Sequence, residues 1–93
     1  MILETYIKQP GETQDYDIDF NEYLAGMGND TITSHVVEAT TGITVVTSLV
    51  INGVVKIFLS GGTDGGRYNV TARVTTAGGR VREGEILVKV KEY

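Results

Sequence analysis

Ile43-Thr44-Val45-Val46-Thr47-Ser48-Leu49-Val50-Ile51-Asn52-Gly53-Val54-Val55-Lys56-Ile57-Phe58-Leu59-Ser60 reads as two extended segments joined by a two-residue turn. The flanks are dominated by β-branched and aromatic residues, which fit a pleated, half-buried surface. Asn52-Gly53 is the pair best able to adopt the two successive positive φ angles of a type I′ turn, whose twist matches that of antiparallel strands. Both faces of this hairpin are apolar. One parity carries Val46, Val50, Val55, Ile57 and Leu59, the other Val45, Leu49, Ile51, Val54 and Phe58. A sheet in an isolated sandwich buries only one face, so the second face predicts a cover by another subunit or by the N-terminal segment, or else a bulge near Asn52 that swaps faces along the strand.

C-terminal to the hairpin, Gly61-Gly62-Thr63-Asp64-Gly65-Gly66 is too rich in glycine for a strand interior and reads as a corner. Residues 67–76 then alternate, with Tyr68, Val70, Ala72 and Val74 on one face. Their partner runs from about Val81 to Lys91. A two-residue Gly78-Gly79 loop sets Glu83 and Glu85 against Val74 and Ala72, which is unfavourable. A loop of Gly78, Gly79 and Arg80 is therefore expected, pairing Tyr68 with Val90, Val70 with Val88, and Ala72 with Ile86, with Arg73 facing Glu85.

Toward the N-terminus, Asp30 to Glu38 alternates with Ile32, Ser34 and Val36 on one side and Thr31, Thr33, His35 and Val37 on the other. Asn21 to Ala25 has the length of a single helical turn, capped by Asp19 or Asn21 and ended by Gly26. Asp15-Tyr16-Asp17-Ile18-Asp19-Phe20 alternates acid with ring or aliphatic and predicts a strand. Residues 1–14, with apolar Ile2, Leu3, Tyr6 and Ile7 ahead of Pro10-Gly11, are expected to form an arm, and residues 15–93 a single domain. Six to seven short antiparallel strands without sustained helical period predict an all-β sandwich, with a small barrel as the alternative.

The 93 residues suit one domain that buries about 60 to 65 per cent of its unfolded surface. At 41% hydrophobic and 22% charged, the composition is that of ordinary globular chains and suggests neither disorder nor a membrane span. Without cysteine there is no disulfide and no thiolate ligand. The opening residues lack a basic region and a long apolar run, so the expected site of synthesis is a cytoplasm. Seven acids against Lys8 give residues 1–30 a charge of −6, which leaves +2 for the remainder of a chain of net −4. Such a chain is a poor general ligand for nucleic acid, whereas its acidic end suits a basic surface on a neighbouring subunit.

Catalytic and ligand-binding patterns are incomplete. Asp15, Asp17 and Asp19 open like a calcium loop, but position 6 is Phe20 and position 12 is Gly26, so no metal is expected. His35 is the single histidine, its neighbour Ser34 faces away from it, and it reads as a surface residue. The glycines at 61–66 lack the lysine and the spacing of a phosphate loop. Glu83 and Glu85 look structural beside Arg73. No catalytic residue, cofactor or small-molecule substrate is predicted.

Leu59, the glycine-containing turn with Gly62, and Tyr68 ahead of an alternating strand resemble the corner before strand F of fibronectin type III domains. In that corner the ring lies on the core while the hydroxyl bonds backbone upstream. The fold this implies is an immunoglobulin-like, fibronectin III-like sandwich. Lys8, Pro10 and Glu12; Asp15, Tyr16, Asp19 and Phe20; Tyr23 and Leu24; Asp30, Thr31 and Ile32; and Leu59 to Thr63 occur in the order found in a family of short phage proteins, the fibre-tail adaptors. Phe20 and Tyr23 stand where tryptophan is expected, and the Gly26–Asn29 loop is longer. The resemblance implies a non-enzymatic virion part, a tail or fibre adaptor or head-tail accessory subunit, oligomeric in the assembly and joined to tail, portal or fibre proteins. The candidate contacts are Ile2, Leu3, Tyr6, Ile7, Val45, Leu49, Val54 and Phe58. The competing reading is a carbohydrate- or receptor-binding module, which needs an exposed aromatic platform.

Overall fold

A computed structural model describes residues 2–92. Its strands are β1 (Ile2–Lys8), β2 (Gln14–Asp19), β3 (Ile32–Ala39), β4 (Ile43–Ile51), β5 (Val54–Gly61), β6 (Arg67–Thr76) and β7 (Val81–Val90), with one short helix, α1 (Asn21–Gly26). They form a four-stranded sheet in the order β1-β7-β6-β3 and a three-stranded sheet in the order β2-β5-β4. The orders β2-β5-β4 and β7-β6-β3 are those of strands B-E-D and G-F-C in the immunoglobulin sandwich. Among the described residues, no helix is long and apolar enough to cross a membrane.

Alternation builds the core. Tyr16 and Ile18 of β2, Val55, Ile57 and Leu59 of β5, Val70, Ala72 and Val74 of β6, and Ile86, Val88 and Val90 of β7 are buried between the sheets. Each fully buried Val, Leu or Ile contributes about 1.5–3 kcal/mol relative to exposure. The β4–β5 turn takes the expected form, with Asn52 at φ 48° and Gly53 at φ 79°. A side chain at Gly53 would meet Asn21, and its carbonyl accepts the Phe20 amide at 3.0 Å, so the turn also anchors the start of α1. Phe20 is the residue at the helix N-cap, while the Asp19 carboxylate accepts the Asn21 amide at 2.8 Å.

Besides the helix N-cap, which is Phe20 rather than Asp19 or Asn21 and makes no side-chain capping bond, four details differ from the sequence reading. First, the N-terminal residues 2–8 lie back on the sandwich as β1, paired parallel to β7, so the strands are not all antiparallel. Second, the β6–β7 register is displaced by two: Tyr68 faces Val88, Val70 faces Ile86, Ala72 faces Gly84, and Arg73 faces Glu83. The loop is Ala77-Gly78-Gly79 between Thr76 and Arg80, whose backbones bond at 2.8 Å. Gly79, at φ 82°, supplies the left-handed residue that ends a three-residue hairpin loop. Apolar residues still face the core because a shift of two preserves parity. The shift also sets Gly84 where a side chain would strike Ile18 and Phe20.

Third, a bulge between Ile32 and Ser34 turns His35, Val37 and Ala39 to the same side as Ile32 and leaves Val36 outside. His35 is half-buried, 2.9 Å from the Ser48 hydroxyl, and joins the open edges of the two sheets. Fourth, a bulge between Val45 and Thr47 reverses the faces of β4: Ile43, Val45 and Val50 pack on the core, and Val46 turns out.

Candidate functional site

The sequence-nominated residues fall into three places. Leu59, Gly62 and Tyr68 meet at one end of the sandwich. The Tyr68 hydroxyl accepts the Thr63 amide at 2.9 Å, and Leu59 is fully buried. Gly62 has φ 92°, and a Cβ there would lie 2.6 Å from a Val90 methyl and 3.4 Å from the Tyr68 ring. Only a residue without a side chain lets the corner close on β7.

Lys8 completes this end. It is fully buried, and its ammonium donates to the carbonyls of Gln9 and Gly61, each at 2.8 Å. Burial pushes its pKa below the ordinary lysine value, partly offset by Glu12. The ammonium ties the end of β1 to the end of β5 across the two sheets. A lysine in a polar stretch reads as solvated, and the residue's place in the Lys8-Pro10-Glu12 motif is the sequence signal that marks it.

The remaining N-terminal candidates divide. Tyr6 packs on the core with its ring centroid 4.8 Å from that of Tyr16, whereas Ile2, Leu3 and Ile7 are exposed. The Tyr16 hydroxyl is buried without a hydrogen-bond partner, and burial, with Glu12, Asp15 and Tyr6 adding, pushes its pKa up to about 12.

The third place is the outer face of the β2-β5-β4 sheet. Leu49, Val54 and Phe58 are on it, joined by Val46 and Ile51; Val45 is not, having turned to the core. Val46 is 53%, Ile51 48% and Leu49 37% exposed. β1 belongs to the other sheet and leaves this face uncovered. Beside the apolar stripe, the Lys56 ammonium bridges Asp15 at 3.0 Å and Asp17 at 2.9 Å. Hydrogen bonding to Lys56 lowers the Asp15 pKa, and the Asp17 and Asp15 carboxylates raise that of Lys56. The alternating aspartates thus hold a lysine. The arrangement can bind an apolar protein surface next to a short border in which one lysine is shared by two aspartates.

At the end opposite the corner, Asp30 organises the loops. Its carboxylate accepts the amides of Thr31 at 2.9 Å and Gly78 at 3.0 Å, and pairs with Arg80 at 2.9 Å. Hydrogen bonding from Thr76, then from these amides and Arg80, holds its pKa down to about 2 against the effect of burial. This role was not apparent from sequence, although Asp30 opens the Asp30-Thr31-Ile32 motif. A cleft of about 660 Å³ at the same end is lined by Leu3, Phe20, Tyr23 and Met27, with Arg82 lying 4.6 Å over the Tyr23 ring.

No match is found among curated proteins. The family model described as "Podophage GP4 fiber-tail adaptor protein gp77" matches residues 8–89, from the buried Lys8 through nearly all of β7, and the chain belongs to this family of phage fibre-tail adaptor proteins.

Proposed function

We propose that the chain is a non-enzymatic structural subunit of the virion, made in the host cytoplasm, that joins fibre to tail by protein contacts through the outer face of its β2-β5-β4 sheet. The observation that carries this reading is the stripe of Val46, Leu49, Ile51, Val54 and Phe58, which no other part of the described chain covers. An apolar patch with a polar border is the usual anatomy of a protein interface. Exposed Ile2, Leu3 and Ile7 on β1 provide a second, smaller contact on the other sheet.

The test is binding of the purified chain to purified tail and fibre proteins of its phage, with Val54→Thr and Phe58→Thr combined. Threonine keeps the β preference while removing the apolar surface. The expected outcome is a folded variant, shown by circular dichroism, whose affinity for at least one of the two proteins drops by about tenfold or more, a loss of about 1.4 kcal/mol. Wild-type affinity for both would refute the assignment.

A further inference from the structure

The two sheets end in four edges: β1 and β3 in one, β2 and β4 in the other. A free edge carries backbone donors and acceptors that another strand can satisfy, and charge, proline, shortness or a bulge normally prevents this. β2 carries Asp15, Asp17 and Asp19, β1 carries Glu4, and β3 carries Glu38. β4 is nine residues long and has neither charge nor proline. Its bulge lies at Val46, toward one end, and Thr47 to Ile51 pair regularly with β5.

We propose that β4 pairs antiparallel with β4 of a second copy across a two-fold axis at Leu49, joining two three-stranded sheets into one of six strands. Residues then meet symmetrically about the axis: Leu49 faces Leu49, Thr47 faces Ile51, and Ser48 faces Val50. Every opposed pair is uncharged. Such an interface is isologous, so one surface must complement itself. Charge selects β4 for this, because a strand without charged residues can oppose its own copy without setting like charges together. Self-pairing of β2 sets aspartates against aspartates, and like charges directly opposite are destabilising. The nearest outer-face charge, Lys56, lies on β5, one strand spacing of about 4.8 Å in from the seam, and is already held between Asp15 and Asp17.

The paired sheet carries the stripe of Val46, Leu49, Ile51, Val54 and Phe58 twice on one continuous face. The pairing does not depend on what docks there, because it uses the β4 backbone and is measured on the purified chain alone.

Light scattering of the full chain tests it. The wild type is expected at twice the monomer mass. Leu49→Lys and Leu49→Glu are each expected to be monomeric, and their equal mixture to recover the dimer, since lysine then faces glutamate. Leu49→Cys covers the case in which a charged variant fails to fold. The chain has no other cysteine, and a disulfide spans Cα atoms about 4.4–6.8 Å apart, which suits directly opposed residues. Under oxidation Leu49→Cys is expected to give a covalent dimer, and Val36→Cys on exposed β3 is not. A monomeric wild type at its highest soluble concentration would overturn the proposal. So would a dimer that survives both charged variants, or a Leu49→Cys chain that cross-links no faster than Val36→Cys.

Discussion

Both faces of β5 carry large apolar residues, and the two differ sharply in environment. On the inner face Val55, Ile57 and Leu59 are fully buried under the β1-β7-β6-β3 sheet; on the outer face Val54 and Phe58, with Lys56 between them, are only partly buried. Hydrophobicity therefore does not separate residues that hold the fold from residues left for a partner. What separates them is which layer of the chain lies over them. Inner substitutions should cost folding free energy, and outer ones should cost association alone.

Leu59→Ala tests the first half of this contrast at its strongest point. Truncating a fully buried leucine removes transfer free energy and leaves a cavity, and the expected loss is about 2–5 kcal/mol in urea unfolding. A loss near that of a surface change would place Leu59 outside the load-carrying core and erase the distinction.

Lys8→Met asks whether a buried ammonium belongs with the inner layer. Methionine roughly fills the same channel but gives Gly61 and Gln9 no donor, and a buried carbonyl left without its partner costs about 1–3 kcal/mol. Equal or greater stability would show that the cost of burying the charge exceeds the value of its bonds. Tyr68→Phe removes only the bond to the Thr63 amide, so about 0.5–1.5 kcal/mol is expected in the same measurement.

Asp30→Asn separates the loop end from both faces by its pH dependence. The folded-state pKa lies below the ordinary aspartate value of 3.8, so the stabilisation is present above that value and is lost as pH falls toward about 2. Wild type should exceed the variant in stability at neutral pH, and the gap should close between those two values. A gap that stays constant down to pH 2 would show that the carboxylate charge is not what holds Gly78 and Arg80.

Much of this was legible from residue pattern. Alternation located the half-buried strands, Asn52-Gly53 located the hairpin, and Leu59 to Tyr68 located the corner, because each depends on neighbours in sequence. The β6–β7 register escaped because two three-residue loops preserve the same parity; which one forms depends on Gly79 taking positive φ and Gly84 fitting against Ile18 and Phe20, a contact between sheets. The parallel pairing of β1 escaped because Ile2, Leu3, Tyr6 and Ile7 do not alternate. The outer face was visible as a surplus of apolar positions, but its membership was mistaken at Val45 and Val46, since nothing local marks the bulge that exchanges them.

The smallest expected effect completes the contrast. Leu49→Thr and Ile51→Thr replace exposed aliphatics with a residue that also favours strands, so each should change unfolding free energy by no more than about 0.5 kcal/mol. The same side chains should still be needed when the outer face is covered, so the doubly substituted chain is expected to lose affinity for its tail or fibre partner at unchanged melting temperature. A stability loss comparable to that of Leu59→Ala would mean that the chain covers this face itself in solution, and the division between holding and docking would have to be redrawn along β4.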